Sequence, residues 1–294
     1  MNGNEKVSGS IFQLQHFSVN DGDGIRTTIF MSGCPLRCQW CANPESWSLK
    51  PQLAFFQEKC RHCGRCAAVC QKGDSQCTAC GACVPVCATH AREVMGKSMS
   101  VKEIAAEIKR YMVFYRYSEG GITYSGGEPS TQINFLQAMV DTFYNMGIHQ
   151  AIETCGYFDW EQASHIFEKL DFIFVDIKHM DRARHKQLTG CDNKKILENI
   201  KKLGRLKKEI VVRIPLIKNI NDTAENIKQT AKFVQDNVPD VKTEILPYHD
   251  LGTYKYQALG MDKYKHIYTP PSATDVKRTK AAIESHCVKT VEYK

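Results

Sequence analysis

From about residue 100 onward, short runs of β-branched and aromatic residues alternate with stretches whose apolar positions recur every three or four residues. That alternation is the pattern of a parallel sheet wrapped by helices. "SVKEIAAEIKRYMVFY" is helical and opens on Ser100 with Glu103 three residues later, the spacing of a capping box. "GITYSGG" reads as a strand, "TQINFLQAMVDTFYNMG" as a helix stopped at Gly147, and "HQAIETCG" as the next strand. "DWEQASHIFEKL" is a helix capped by Asp159, and "DFIFVDIK" is apolar enough to be a strand buried on both faces. A helix around "ILENIKKLG", the strand "EIVVRIPLI", the helix "TAENIKQTAKFVQDN" and the strand "TEILPYH" complete the series. With "RTTIFMSG" near the front, six strand-to-loop units emerge.

Polar or glycine-rich clusters follow these strands: Cys34 to Cys41, Ser125 to Pro129, Glu153 to Gly156, Asp176 to Lys178, and Pro247 to Asp250. In a β/α barrel such loops share the C-terminal rim, where the chemistry is done. Six units instead of eight predict an α/β fold with a partial (β/α)6 barrel, splayed open, whose wide mouth suits a large substrate. Residues 52–95 break the alternation, being dense in cysteine and poor in periodic pattern. They read as an insert between the first strand and the first helix, leaving 1–51 and 96–294 for the barrel.

Composition narrows the class only a little. A hydrophobic share of 43% with 24% charged residues is ordinary for a globular protein. No apolar run approaches the roughly 18 residues of a membrane span, and "MNGNEKVSGSIFQLQHF" lacks the layout of a signal peptide. A cytoplasmic protein with no membrane partner is expected. The net charge of +7 is spread over lysine-rich helical faces such as "NKKILENIKKLGRLKK", so nucleic acid is not an expected partner. Cysteine changes the picture. Eleven of the 14 lie between Cys34 and Cys87, and in a cytosolic chain such clustering points to metal, not to disulfides.

Within the insert, "CRHCGRCAAVC" and "CTACGACVPVC" each spell C-x2-C-x2-C-x3-C, a tandem copy of the bacterial ferredoxin run. In that arrangement the fourth cysteine of each run ligates the other cluster. Cys60, Cys63, Cys66 and Cys87 are thus expected to hold one 4Fe-4S cluster, and Cys77, Cys80, Cys83 and Cys70 a second. The alternative is a pair of zinc knuckles, but those need only two C-x2-C pairs and a longer spacer. One departure stands: Gln71 and Ala88 occupy positions where the ferredoxin run usually continues into proline.

"GCPLRCQWC" poses a different problem, because its three cysteines have no fourth companion until Cys60. Three thiolates on one loop can each take one iron of a cubane, leaving the last iron open, and an open metal position is where substrate binds. Three buried cysteines in an irregular loop are the plain alternative.

The motif resembles the signature of the radical S-adenosylmethionine (SAM) enzymes. "NDGDGIRTTIF", "YSGGEP", "ETCG", "VDIK", "IPLIKNINDTAEN" and "ILPYHDLGTYKY" further resemble, in this order, the glycyl radical enzyme activating enzymes, in the subgroup with a two-cluster insert. The resemblance covers nearly the whole chain. It implies that SAM's methionine moiety chelates the open iron of the cluster on Cys34, Cys38 and Cys41. It also implies that reductive cleavage gives methionine and a 5'-deoxyadenosyl radical, which takes a Cα hydrogen from a backbone glycine of a partner glycyl radical enzyme.

Carried over position by position, Trp40 and Asn43 flank the adenine, while Ala42 stands where a histidine is common. Gly126, Gly127 and Glu128 meet the SAM amino group, the glycines allowing close backbone approach. Asp176 and Lys178 contact SAM, Lys178 neutralising its carboxylate. Asn226 matches a further SAM position. Glu153, Thr154 and Asp176 form a candidate monovalent cation site, with loop capping as the plain reading of Thr154 and Asn226.

The resemblance also implies that Asp21 lies near the incoming glycyl peptide, with Asp23 in place of the family's usual proline. An EF-hand reading of "DGDG" fails, because Val19 and Phe30 stand where acidic ligands are needed. His249 is either a partner contact at the rim or a buried structural histidine. No catalytic acid or base is expected beyond the cluster. The insert clusters would relay electrons from flavodoxin or ferredoxin, or dock the partner. Cys155, Cys191 and Cys287 are expected to be small buried hydrophobes. Two rivals remain, a radical SAM enzyme acting on a small molecule and a plain three-cluster electron carrier.

Overall fold

The computed structural model describes residues 3–73, 76–238 and 240–293. Its strands are β1 (Ser8–Ser18), β2 (Arg26–Met31), β3 (Gln52–Phe55), β4 (Arg92–Met95), β5 (Lys97–Ser100), β6 (Gly121–Gly126), β7 (His149–Thr154), β8 (Phe172–Asp176), β9 (Glu209–Leu216), β10 (Lys242–Pro247) and β11 (Thr290–Val291). The helices are α1 (Arg65–Val69), α2 (Val101–Lys109), α3 (Met112–Ser118), α4 (Ile133–Asn145), α5 (Trp160–Phe167), α6 (Arg182–Thr189), α7 (Lys194–Leu203), α8 (Ala224–Asn237), α9 (Thr253–Ala258) and α10 (Ala273–Glu284).

Nine strands make one sheet in the order β11-β10-β9-β8-β7-β6-β2-β1-β5. Pairing is parallel from β2 through to β11, and antiparallel where β1 meets β2 and β5. The six strands predicted from sequence are β2, β6, β7, β8, β9 and β10, which are consecutive neighbours here. Their C-terminal ends, and the loops that leave them, therefore lie at one end of the sheet. β5 and β11 stand at opposite edges and do not pair with each other, so the sheet is open.

Alternation along the strands divides side chains between two faces. One face presents Ile29, Met31, Ile122, Tyr124, Ile152, Ile173, Val175, Val212 and Ile214 to the helices, where Leu136, Met139, Phe143, Phe167, Ile200 and Ile227 complete the main core. Each such side chain contributes roughly 1.5–3 kcal/mol by leaving water. The opposite face carries a small apolar cluster of Ala151, Phe172, Phe174 and Val211, backed by Tyr293. It also carries buried charge in Arg26, Arg213 and Glu244, with the half-buried Glu153 beside them.

Helix starts follow the expected chemistry. Ser100 and Glu103 form a reciprocal capping box on α2, Asp159 accepts from the Gln162 amide at the start of α5, and Gly147 takes a φ of +65° just beyond α4. The helix expected to run through Tyr115 instead stops at Lys109 and restarts at Met112. The break lets Tyr111 stack on His16 at 4.0 Å and sends the Tyr115 hydroxyl to Thr27 Oγ1 at 2.6 Å. β1, β5, α6, α9 and α10 were not anticipated.

Between β3 and β4, residues 56–91 leave the main sheet. The two strands pair antiparallel from Gln52↔Met95 to Phe55↔Arg92, forming a ribbon of their own. Ala54 and Phe56 pack on Ala258, so the ribbon rests against α9. No helix among the described residues is long and apolar enough to cross a membrane.

Candidate functional site

The loop after β2 turns on Gly33, whose φ of +91° strains any other residue and where a Cβ would lie 2.6 Å from Leu49 Cδ2 and 2.9 Å from Thr131 Cγ2, so that those side chains would have to shift. From there the chain is gripped on several sides. The amides of Arg37 and Gln39 donate to the carbonyls of Thr189 and Leu188 at 2.7 and 3.1 Å, which fastens the loop to the end of α6. The Tyr256 hydroxyl donates to the Cys41 carbonyl at 2.9 Å, and Lys255 Nζ reaches Asn43 Oδ1 at 3.0 Å and Glu45 Oε1 at 2.5 Å. Gly252 lies so close that a Cβ there would be 2.4 Å from the Ala42 carbonyl. Trp40 is half-buried on this loop.

Inside the loop, the thiols of Cys34, Cys38 and Cys41 are near enough to disfavour one another's ionisation. Burial pushes Cys34 and Cys41 up, and Cys38 up to about 12, opposed at Cys38 by the Lys178 ammonium. Hydrogen bonds from the Asn43 backbone and the Trp47 indole favour the Cys41 thiolate. Three buried thiols held together are costly to ionise unless a shared cation is present, so this donor set fits an iron–sulfur cluster. Among the described residues no three histidine, cysteine or carboxylate groups gather as the ligands of a single metal ion do. A cubane asks for one thiolate per iron, with the sulfurs spread over separate corners.

The Gly126–Glu128 turn lies against this loop. A Cβ on Gly126 would be 2.5 Å from the Met31 backbone, and one on Gly127 would be 2.2 Å from the Gly33 carbonyl. The close approach these glycines permit is thus to the chain's own backbone, where Gly127 donates to Met31 and Glu128 to Gly33, both at 2.8 Å. The Glu128 side chain is fully buried and spent internally. It accepts from Ser130 Oγ at 2.7 Å, from Thr154 Oγ1 at 2.9 Å and from the Cys155 amide at 2.7 Å.

Lys178 is buried, and its ammonium contacts Asp176 Oδ2 at 2.5 Å. Burial alone would lower it, but Asp176 and the neighbouring thiols of Cys38 and Cys155 hold it well above the ordinary lysine range. Asn226 uses its amide to bind the Met180 amide at 2.9 Å and the Asn221 carbonyl at 2.8 Å.

The candidate cation residues point to different partners. Glu153 bonds Arg213 and Ser125, Thr154 bonds Glu128 from the opposite face of β7, and Asp176 pairs with Lys178. Asp21 accepts from Ser18 at 2.6 Å and from Thr28 at 2.5 Å. His249 is exposed, which removes the buried structural reading. Cys155 is buried beside Cys34 and Glu128, as expected of a small hydrophobe, but Cys191 is half-buried and Cys287 exposed. The last sits at a helix end with a φ of +59°, where no core is available to cover it.

Sequence reasoning missed Lys255, Tyr256 and Glu45, which clamp the cysteine loop, and Asn221, which ties the carbonyls of Lys178 and Pro215 together at 2.9 and 2.6 Å. It also missed Arg213, held charged between Glu153 and Glu244. Glu45 Oε2 and Tyr248 OH are buried with no partner among the described residues, leaving polar atoms near the loop for a ligand or water to satisfy.

In the insert, a cavity of about 340 Å³ is lined by Cys66, Cys70, Cys77, Cys80 and Cys83, together with Leu53 and Arg92. All four expected ligands of the second insert cluster face it. Amides donate to cysteine sulfurs from His62 to Cys60 and from Ala79 to Cys77 at 3.4 Å, and from Ala91 to Cys87 at 3.2 Å. Such donors suit cluster-bound thiolates, so these residues fit as well.

Comparison with known proteins agrees with this chemistry. The family model of the Radical SAM superfamily matches residues 28–234. The 4-hydroxyphenylacetate decarboxylase activating enzyme of Clostridioides difficile (strain CD196) is 39% identical over 286 residues, 89% of this chain and 89% of that one. The (2S)-3-sulfopropanediol dehydratase activating enzyme of Klebsiella oxytoca is 36% identical over 309 residues, 99% of this chain and 95% of that one. Among solved structures, Streptococcus suis SuiB bound to precursor peptide SuiA shares the fold at a TM-score of 0.56, with 15% identity over 90% of this chain and 47% of that one.

Proposed function

The chain belongs to the Radical SAM superfamily and, within it, to the activating enzymes of glycyl radical enzymes, and on that premise we propose that it removes one Cα hydrogen from a backbone glycine of a partner enzyme. The observation that carries this reading is the Cys34–Cys41 loop, whose three thiols are buried together in a backbone fixed by α6 and α9. A 4Fe-4S cluster with SAM, when bound there, supplies the one-electron cleavage of a carbon–sulfur bond and the carbon radical that takes the hydrogen.

Cys34, Cys38 and Cys41 would hold three irons, leaving the fourth for the amino and carboxylate groups of SAM. Lys178 would supply the counter-charge for that carboxylate, already desolvated and poised on Asp176. Because the Glu128 carboxylate is engaged with Thr154 and Cys155, the Gly126–Glu128 turn would offer SAM's ammonium its backbone oxygens. Trp40 and Asn43 would flank the adenine, with Asn43 steadied by Lys255. Asn226 would act through its hold on Met180 and Asn221. A monovalent cation at Glu153 and Asp176 would compete with Lys178 for the Asp176 carboxylate, while the Thr154 side chain, on the opposite face of β7, stays on Glu128.

An open sheet is compatible with a partial barrel whose mouth admits a protein loop, with Asp21 and His249 meeting the glycyl peptide. Water exclusion around that loop is the remaining requirement, since a carbon radical is unselective. We read residues 52–95 as an inserted two-cluster unit, making three 4Fe-4S clusters in all, reduced by flavodoxin or ferredoxin in the cytoplasm. The relatives activate partners of several chemistries at 35–39% identity, so identity singles out no partner.

The test is anaerobic reconstitution followed by SAM and a strong reductant. Release of 5'-deoxyadenosine, and a glycyl doublet in electron paramagnetic resonance on adding a candidate decarboxylase, dehydratase or lyase, is the expected result. Nucleoside release with no doublet from any partner would favour a small-molecule substrate. Intact iron with no nucleoside and no spectral response to SAM would overturn the reading.

A further inference from the structure

The two cysteine runs of the insert are matched in backbone around their first two cysteines. His62 and Ala79, each preceding the second cysteine of its run, have φ of +52° and +53°, and Gly64 and Gly81 after it have +72° and +82°. The sulfurs of Cys60 and Cys77 receive equivalent amide bonds at 3.4 Å. Within the runs the side chains differ, with Arg61, His62 and Arg65 in the first standing where the second has Thr78, Ala79 and Ala82.

Contact with β4 differs as well. A Cβ on Gly81 would touch Val94 Cγ2 at 3.6 Å, whereas one on Gly64 would meet nothing within 4 Å, so the second run rests on the ribbon more closely than the first. Cys83 is buried, and its counterpart Cys66 is half-exposed. Arg92, two residues before Val94, lines the cavity shared by Cys70, Cys77, Cys80 and Cys83. Its guanidinium lies 4.9 Å from the centre of the Phe55 ring, which restrains it. From there it hydrogen-bonds the Cys83 sulfur.

Resting on the reading of residues 52–95 as a two-cluster insert, we infer that Arg92 raises the reduction potential of the cubane held by Cys70, Cys77, Cys80 and Cys83. Reduction adds one electron to a cluster already anionic with its four thiolates. A guanidinium bonded to one thiolate stabilises that added charge more than it stabilises the oxidised form. Burial of Cys83 acts the other way, by withholding water from the reduced cluster, and Arg92 offsets it. Lys72 also lines the cavity but is exposed, so solvent and salt screen it.

The experiment is a redox titration followed by electron paramagnetic resonance, on full-length chain carrying Cys34→Ala, Cys38→Ala and Cys41→Ala so that only insert clusters contribute. About eight irons per chain are expected. Fewer would overturn the two-cluster reading, and this inference with it, before any potential is compared. Given eight, Arg92→Met is expected to lower one of the two one-electron waves by a factor of roughly ten in the reduced-to-oxidised ratio at fixed potential, about 59 mV. The other wave stays, Arg92→Lys recovers most of the shift, and Lys72→Met moves neither. Unchanged waves in Arg92→Met with iron intact would overturn the inference. Should Arg92→Met lose iron, Arg92→Gln keeps a donor without the charge, and an unshifted wave there counts equally against it.

Discussion

The Cys34–Cys41 loop and the insert carry cysteines at similar density, yet the protein supports them differently. Around the loop, glycines without room for a Cβ, two backbone bonds from α6 and three side-chain bonds from α9 hold the chain in place. In the insert, Cys63, Cys70, Cys77 and Cys80 are exposed, and among the described residues the α-helix amounts to Arg65–Val69. A segment of that kind buries too little apolar surface to offset its own ordering entropy. The contrast teaches that the radical-SAM loop is organised by the fold before metal arrives, and the insert by the metal it would hold.

Stripping iron with a chelator should break that symmetry most visibly. Proteolysis within residues 56–91 is expected to accelerate about a hundredfold, while cleavage elsewhere and far-ultraviolet circular dichroism change little. Equal sensitivity with and without iron would erase the comparison. Next in size, Gly127→Ala forces a Cβ to within 2.2 Å of the Gly33 carbonyl and should destabilise the main sheet by about 3 kcal/mol in denaturant titration. Iron on the insert should survive this substitution, and loss of insert iron instead would tie the two regions together.

Glu128→Ala leaves the Thr154 hydroxyl and the Cys155 amide without their buried acceptor, at a cost of about 2 kcal/mol, and Glu128→Gln should recover part of it. The smallest effect concerns pH. Burial holds His185 below its ordinary value, and its ring contacts the Cys191 carbonyl at 2.6 Å within the helix that grips Arg37 and Gln39. The unfolded chain therefore binds a proton more readily than the native one, so stability is present above the ordinary histidine range and is lost as pH falls through it. Thermal melts should show that loss near pH 6 and a flatter profile in His185→Gln.

Much of the main sheet was legible because its signals are local. Largely apolar runs predicted β8 and β9, and capping residues at Ser100 and Asp159 marked helix starts that the structure keeps. β1 was missed although Leu14 and His16 alternate with the exposed Gln13 and Gln15, because an antiparallel strand stands outside the strand–helix rhythm that identified the others. β5 is four residues long and becomes a strand only by pairing with β1. The Glu153–Arg213–Glu244 chain could not be read at all. Glu153, Arg213 and Glu244 stand on β7, β9 and β10, far apart in sequence, so the partners meet only through the sheet.

The amino-acid order by itself located six of the seven strands of the parallel run and the loops that leave them, since spacing and periodicity act over a few bonds or one turn. Only the tertiary structure decided which groups on those loops remain available. Glu128 is consumed by Thr154 and Cys155, Lys178 is poised on Asp176, and Tyr256 is brought to Cys41 from more than 200 positions away. Hydrogen bonds and charge pairs saturate with whichever partner the packing supplies, and that partner is chosen by the fold.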